Sequence, residues 1–271
     1  MTGTKKKKPA EIVTKPYLTG GITDENLFKN VLKFFGMTAL FIFVSFLVSS
    51  MSSIGSQVFI IIFNSAIVLL LLYIYFTRGL SLGTDNVAYG EILYQRKEKG
   101  AEMTENERKL SFHPGKGFLI AVLGMLPVLI PAIILAFLTK RQVTSIGTLP
   151  SWVSSMSRRS EIGDALVTYT QQEPMLFVDY LRVFVRICIM PVIRMAGNEN
   201  KDLLLTIERI SPALLLLPCV AYGIGYLQGR NERTRIHTRI AENRKIRKRR
   251  ENRERKARQA ASENRGPEKL N

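Results

Sequence analysis

The sequence predicts an all-α fold, a polytopic membrane helical bundle of about four transmembrane helices with an interfacial amphipathic helix and a basic cytoplasmic helical tail. Three observations predict it. Four stretches of about 20 residues are almost wholly apolar, long enough at a rise of about 1.5 Å per residue to cross a hydrocarbon core about 30 Å thick. The chain then ends in a run of arginines and lysines. Finally, 271 residues that are 46% hydrophobic carry a formal net charge of +17, with the two characters in separate blocks. One compact soluble domain would mix them.

The spans run from about Phe34 to Ser50, Val58 to Thr77, Phe118 to Leu138 and Ile210 to Leu227. None contains a charged side chain, as burial in hydrocarbon demands. Basic residues set the orientation. Of 39 Lys and Arg, 7 lie in residues 1–33, 7 in 78–116 and 16 in 230–271. The positive-inside rule puts these regions in the cytoplasm, so both termini are inside and the number of crossings is even. Aromatic rings flank bases at each expected cytoplasmic end: Phe34 and Phe35 beside Lys33, Tyr73 and Tyr75 before Arg78, Phe118 after Lys116, Tyr226 before Arg230. The expected division is a basic N-terminal segment (1–33), three spans with a cytoplasmic loop at 78–116 (34–138), an external region (139–209), a last span (210–229) and the tail (230–271). The expected location is the cell membrane. Lys5 to Lys8 precede mostly polar residues rather than a short apolar core, so no cleavable signal peptide is expected.

The external region keeps the other 9 bases and holds the most unusual segment, residues 175–195. At about 100° per residue, Asp179, Arg182, Arg186 and Arg194 share one arc, opposite Phe177, Leu181, Phe184, Val185, Cys188 and Val192. Three arginines make a lone span expensive, so an interfacial helix with a solvated, lipid-headgroup-facing side is the simpler expectation. The competing readings are a polar wall facing a cavity between spans, a re-entrant segment that Pro191 could bend, or a crossing within a bundle. Upstream, Trp152 suits the outer interface and Ser160 suits the cap of a short helix over 161–169.

Pro127 and Pro131 in the third span free backbone carbonyls on one side and predict a kink, with Gly124 just before them. Loop 78–116 opens with Gly79, Gly83 and Gly90, continues through a capping box at Thr104 and Glu107, and closes with His113-Pro114-Gly115-Lys116-Gly117. A polar connector is expected there. The Gly-Lys-Gly lacks the spacing and the following Ser or Thr of a phosphate loop, and His113 has no metal-ligand companion at the usual spacing. Cys188 and Cys219 lie within apolar runs and read as small buried hydrophobes.

From Arg230 to Ala261 the tail has neither proline nor glycine, which predicts a solvated helix continuing from the last span. Arg244, Lys245, Arg247, Lys248, Arg249 and Arg250 are its densest candidate contacts to phosphate or anionic lipid. Lipid headgroups are the first expectation for a partner, with RNA or the ribosome and a protein of a membrane complex as rivals. Without interleaved aromatics the tail cannot stack on bases. No catalytic motif and no cofactor site is readable. An arginine-bearing amphipathic segment followed by a basic tail resembles membrane protein insertases in outline, though not in the order or spacing of residues. The leading functional expectation is a non-enzymatic accessory component of a membrane transport or envelope-biogenesis complex. An insertase-like or channel-like transporter using Arg182 and Arg186, or an RNA tether, are the alternatives.

Overall fold

The computed structural model describes residues 12–51, 56–140, 176–197 and 200–263. It is all-helical, with no strand among the described residues. Among the described residues seven helices follow one another: α1 (Leu27–Met51), α2 (Gln57–Glu98), α3 (Glu105–Lys109), α4 (Lys116–Leu138), α5 (Phe177–Cys188), α6 (Met190–Ala196) and α7 (Lys201–Glu263). Four of them, α1, α2, α4 and α7, are long and apolar enough to cross a membrane. Trp152, the short helix expected over 161–169 and the Lys5 to Lys8 block lie outside the described residues.

α4 is the inner helix. Its Ile120, Ala121, Met125, Ala132 and Leu135 are buried against the other long helices. Phe34 of α1 and Tyr75 of α2 meet Tyr222 of α7 in one aromatic cluster, with ring centroids 5.4 Å and 5.1 Å from Phe34. Gly124 leaves room for the Phe34 ring. The Tyr75 hydroxyl donates to Thr38 Oγ1 at 3.0 Å, so its polar end is satisfied inside the core. Cys219 is buried, its thiol 3.4 Å from the Ala121 carbonyl, and both cysteines are free thiols. By contrast, only 17% of the apolar window of α1 and 11% of that of α2 is buried within the molecule. Leu40, Phe43, Leu47, Phe59, Ile62, Leu69 and Leu70 are exposed instead.

The expectation of a polar connector after Thr77 is corrected. α2 runs unbroken from Gln57 to Glu98, 42 residues or roughly 63 Å, and carries Gly79, Gly83 and Gly90 inside the helix. Interior glycine costs a helix about 1 kcal/mol relative to alanine, so the helix is held by packing. That packing is against α7. A methyl group on Gly79 would overlap the Tyr222 carbonyl, and one on Gly83 the Tyr226 carbonyl. Reciprocally, one on Gly225 would overlap the Phe76 carbonyl, and one on Gly229 the backbone of Gly83. Gly79/Gly83 and Gly225/Gly229 are therefore two small-xxx-small pairs facing each other, which lets the two main chains touch.

α7 is a single helix of 63 residues, roughly 95 Å, from Lys201 through Pro212 and Pro218 to Glu263. α4 likewise runs through Pro127 and Pro131 without interruption. Segment 175–195 is interrupted near Pro191, where the position of that proline in the sequence suggests a break: α5 ends at Cys188, Ile189 leaves helical geometry (φ −110°, ψ 26°), and α6 starts with Pro191 in its first turn. Pro191 has no N–H to give to a continued helix, so the break falls where its ring would clash with the preceding turn.

Candidate functional site

Three polar assemblies are built on this frame. The first sits where α5 enters the bundle. Leu176 precedes α5 and its N–H donates to Asp179 Oδ2 at 3.1 Å, fixing the first turn. One turn on, Arg182 points into the bundle and is buried. Its Nε donates to Glu208 Oε2 at 3.1 Å. Its Nη2 donates to Thr139 Oγ1 at 3.0 Å and to the Lys140 carbonyl at 2.9 Å. Its Nη1 lies 3.4 Å from Asp179 Oδ1. The Thr139 hydroxyl in turn donates to Glu208 Oε2. Arg186, one further turn along, reaches Glu208 Oε1 with Nε at 2.8 Å and Nη2 at 2.6 Å. Glu208 of α7, with a side chain only 2% exposed, thus holds two arginines of α5 and the end of α4.

Beyond this cluster α5 descends into the apolar interior. The α5–α6 break and Pro191 wall a cavity of about 140 Å³ together with Thr38, Tyr75, Met125, Leu215 and Pro218. α6 then returns: the Met195 carbonyl accepts from Gln57 Nε2 at 3.2 Å, and its sulfur lies 3.2 Å from the Ser65 hydroxyl, both on the first turns of α2. The segment goes in beside α4 and comes back beside the start of α2. Arg194 stands apart on α6, its buried Nε without a hydrogen-bond partner. Asp179, Arg182, Arg186 and Arg194 therefore do not share a solvated face. The charges of the first three are consumed locally, because burying a guanidinium is tolerable only when its donors are satisfied.

The second assembly lies at the opposite end and organises the N-terminal residues. Residues 12–25 run as non-helical chain across α2 and the α3–α4 connection: Leu18 N–H donates to the Gly90 carbonyl (3.2 Å) and Gly20 N–H to the Phe112 carbonyl (2.9 Å). Lys116 is fully buried beneath it. Its ammonium donates to Asp24 Oδ2 (3.0 Å) and to the carbonyls of Lys109 (2.8 Å) and Ser111 (2.9 Å), which uses all three protons. Phe112 stacks on Tyr226 at 5.1 Å, and Asn86 donates to the Tyr226 hydroxyl at 2.9 Å. Thr104 caps α3 through the capping box with Glu107. His113 Nδ1 accepts the Gly115 N–H at 3.2 Å. The Gly-Lys-Gly stretch is thus a clamp built on Lys116. Removing one partner of such a buried pair costs about 3–5 kcal/mol. Lys116→Met is accordingly expected to release residues 12–24 and to speed chymotryptic cleavage after Tyr17 at least tenfold, read by gel and mass spectrometry. Unchanged cleavage would mean the clamp does not hold the segment.

The third assembly fixes the start of the tail. Glu91 of α2, 6% exposed, accepts from Arg233 Nε (3.1 Å) and Nη2 (3.0 Å) on one oxygen and meets His237 Nε2 at 2.7 Å on the other. Val13 N–H donates to Thr238 Oγ1 at 3.2 Å, and the Arg230 guanidinium lies 5.9 Å above the Tyr17 ring. His237 is thus buried rather than solvated within the basic run. From Glu242 to Ala260 every residue of α7 is exposed, including Arg244, Lys245, Arg247, Lys248, Arg249 and Arg250. Glu251 pairs back with Arg247 at 2.9 Å.

Glu208 and Glu91 are the residues that sequence reasoning missed. Counting bases alone hid the acid on the last helix that faces the two arginines. Glu91 was hidden by treating its stretch as a connector. Among the described residues no group of three His, Cys, Asp or Glu could hold a metal ion. The chain matches no protein-family model, no curated protein and no solved structure. Its class rests on its own architecture: an all-helical bundle with four apolar helices of membrane-crossing length, one of them prolonged into a basic rod.

Proposed function

We propose that this chain is a multi-pass membrane protein with both termini in the cytoplasm, and that it works as a non-enzymatic component of a membrane assembly by holding a basic helix upright on a rigid bundle. The outward apolar surface of α1 and α2 supports membrane burial, since a surface of that size is covered by lipid or by a partner. The distribution of bases supports the orientation. The observation that carries the reading is the continuity of α7: one helix passes through the apolar bundle, is latched to α2 by Glu91, and then presents its bases on all sides. Four crossings with a re-entrant α5–α6 hairpin keep the even count that the bases require. The insertase-like or channel-like alternative draws less support. Its arginines are engaged by Glu208, and the cavity at the hairpin tip is walled mainly by apolar side chains.

The test is affinity purification from native membranes in mild detergent at low salt, with full-length protein beside a version stopped after Glu242. A stop after Gly229 would strip Glu91 of Arg233 and His237, so the cut lies beyond the latch. A stoichiometric partner with full-length protein that is lost on truncation is expected. If neither version retains one, the component reading fails.

A further inference from the structure

Resting on that reading, we propose that residues 244–258 of α7 bind the phosphate backbone of single-stranded RNA, without regard to sequence and away from the bilayer surface. The apolar stretch of α7 ends at about Leu227 and the helix does not break afterwards. At 1.5 Å per residue Arg244 stands roughly 25 Å beyond that point and Arg258 roughly 46 Å. A tilt of about 20°, the average for spanning helices, shortens those heights by less than a tenth. The helix cannot fold down at its exit, because residues 230–238 are held by Glu91 of α2, by Tyr17 and by the Val13 N–H. The headgroup layer takes up about 5–7 Å of that height, so Arg244 stands about two screening lengths of about 8 Å from it, and the headgroup field falls to roughly a tenth before it reaches Arg244. An upright rod therefore disfavours the lipid contact expected from the sequence.

Taken at about 100° per residue, Arg244, Lys248 and Arg255 share one side. Lys245, Arg249 and Lys256 share the next, and Arg253, Arg250, Arg247 and Arg258 complete the circle. A folded acidic protein offers one surface and would leave half of these bases unused. A flexible polyphosphate can wrap the rod and reach bases on every side. Arginine outnumbers lysine here, and its planar fork matches phosphate oxygens two at a time. The stretch has no aromatic side chain, so nothing in it reads or stacks on bases. In the cytoplasm the abundant flexible chain of phosphates is RNA.

The experiment places full-length protein in nanodiscs of phosphatidylcholine and follows the anisotropy of a fluorescent 20-nucleotide oligouridylate. Neutralising about five phosphates predicts a loss of affinity of about 100-fold between 50 and 200 mM KCl. Stopping the chain after Glu242 should abolish binding. Exchanging a third of the lipid for phosphatidylglycerol should change affinity less than threefold. A drop of tenfold or more would show that the tail lies on lipid and would overturn the proposal. Tighter binding of a polyglutamate of equal charge would overturn it in favour of an acidic protein, and tighter binding of a 20-base-pair DNA would overturn the single-strand assignment. Flotation of the truncated protein with vesicles after carbonate treatment checks the membrane reading separately. Flotation without RNA binding by the full-length chain sinks only the RNA proposal, and loss of flotation sinks the membrane reading beneath it.

Discussion

Replacing Glu208 with glutamine should lower the unfolding midpoint in mild detergent by about 10 °C. The carboxylate is nearly inaccessible and carries the compensation for two guanidiniums, of which Arg182 is itself only 6% exposed. Glutamine keeps the shape and a carbonyl oxygen but removes the charge. Arg182 then stays buried beside a neutral amide, with Asp179 at 3.4 Å as its remaining acid. Breaking a buried pair from one side costs about 3–5 kcal/mol, and at about 2–4 °C per kcal/mol for a chain of this size that is the predicted shift. A second variant separates charge compensation from simple loss of packing. Arg182→Met and Arg186→Met combined with Glu208→Leu remove the acid and both of its arginines together, and exchanging a buried ion cluster for well-packed apolar groups is often neutral. The triple variant should recover most of the lost stability. If Glu208→Gln alone moves the midpoint by less than about 2 °C, the cluster does not hold the α5–α6 hairpin in place.

What could be read from the residues, and what could not, divides along a physical line. Apolar length is a property of one segment, so the stretches containing Phe34, Val58, Phe118 and Ile210 each fall within a long helix. The absence of Pro and Gly is equally local, and α7 does continue past Arg230 to Glu263. Partners are not local. Arg182 belongs to a helical arc whether it faces water or Glu208, and only the approach of α7 decides between them. Lys116 sits between two glycines that suggest a loop, and its role comes from Asp24, 92 residues away. The glycines of α2 were misleading for the same reason. Read singly, Gly79, Gly83 and Gly90 punctuate a turn. Read as a pair four residues apart, facing a second such pair at Gly225 and Gly229, they mark a helix–helix contact. That spacing was visible in the sequence.

The α2–α7 contact makes the second large prediction, and its sign runs against helix propensity. In an isolated helix Gly→Ala stabilises by about 1 kcal/mol. At Gly83 the added methyl would meet the carbonyl of Tyr226, and main-chain atoms cannot swing aside as the end of a flexible side chain can. The helices must separate, loosening Phe112 on Tyr226 and moving Glu91 from Arg233 and His237. Overpacking of this kind costs about 1–3 kcal/mol, and Gly83→Leu should reach the top of that range or exceed it. Gly36 on α1 supplies the internal control, because a methyl there would meet nothing within 4 Å. Gly36→Ala should be neutral or slightly stabilising, while Gly83→Ala destabilises by about 2 kcal/mol, both read from reversible unfolding in mixed detergent. Equal effects at the two positions would mean that α2 and α7 do not approach through their glycines. If the difference holds and Gly83→Leu also weakens protection of Arg233 and His237 from hydrogen exchange, then the erect posture of the basic rod depends on this contact as well as on Glu91.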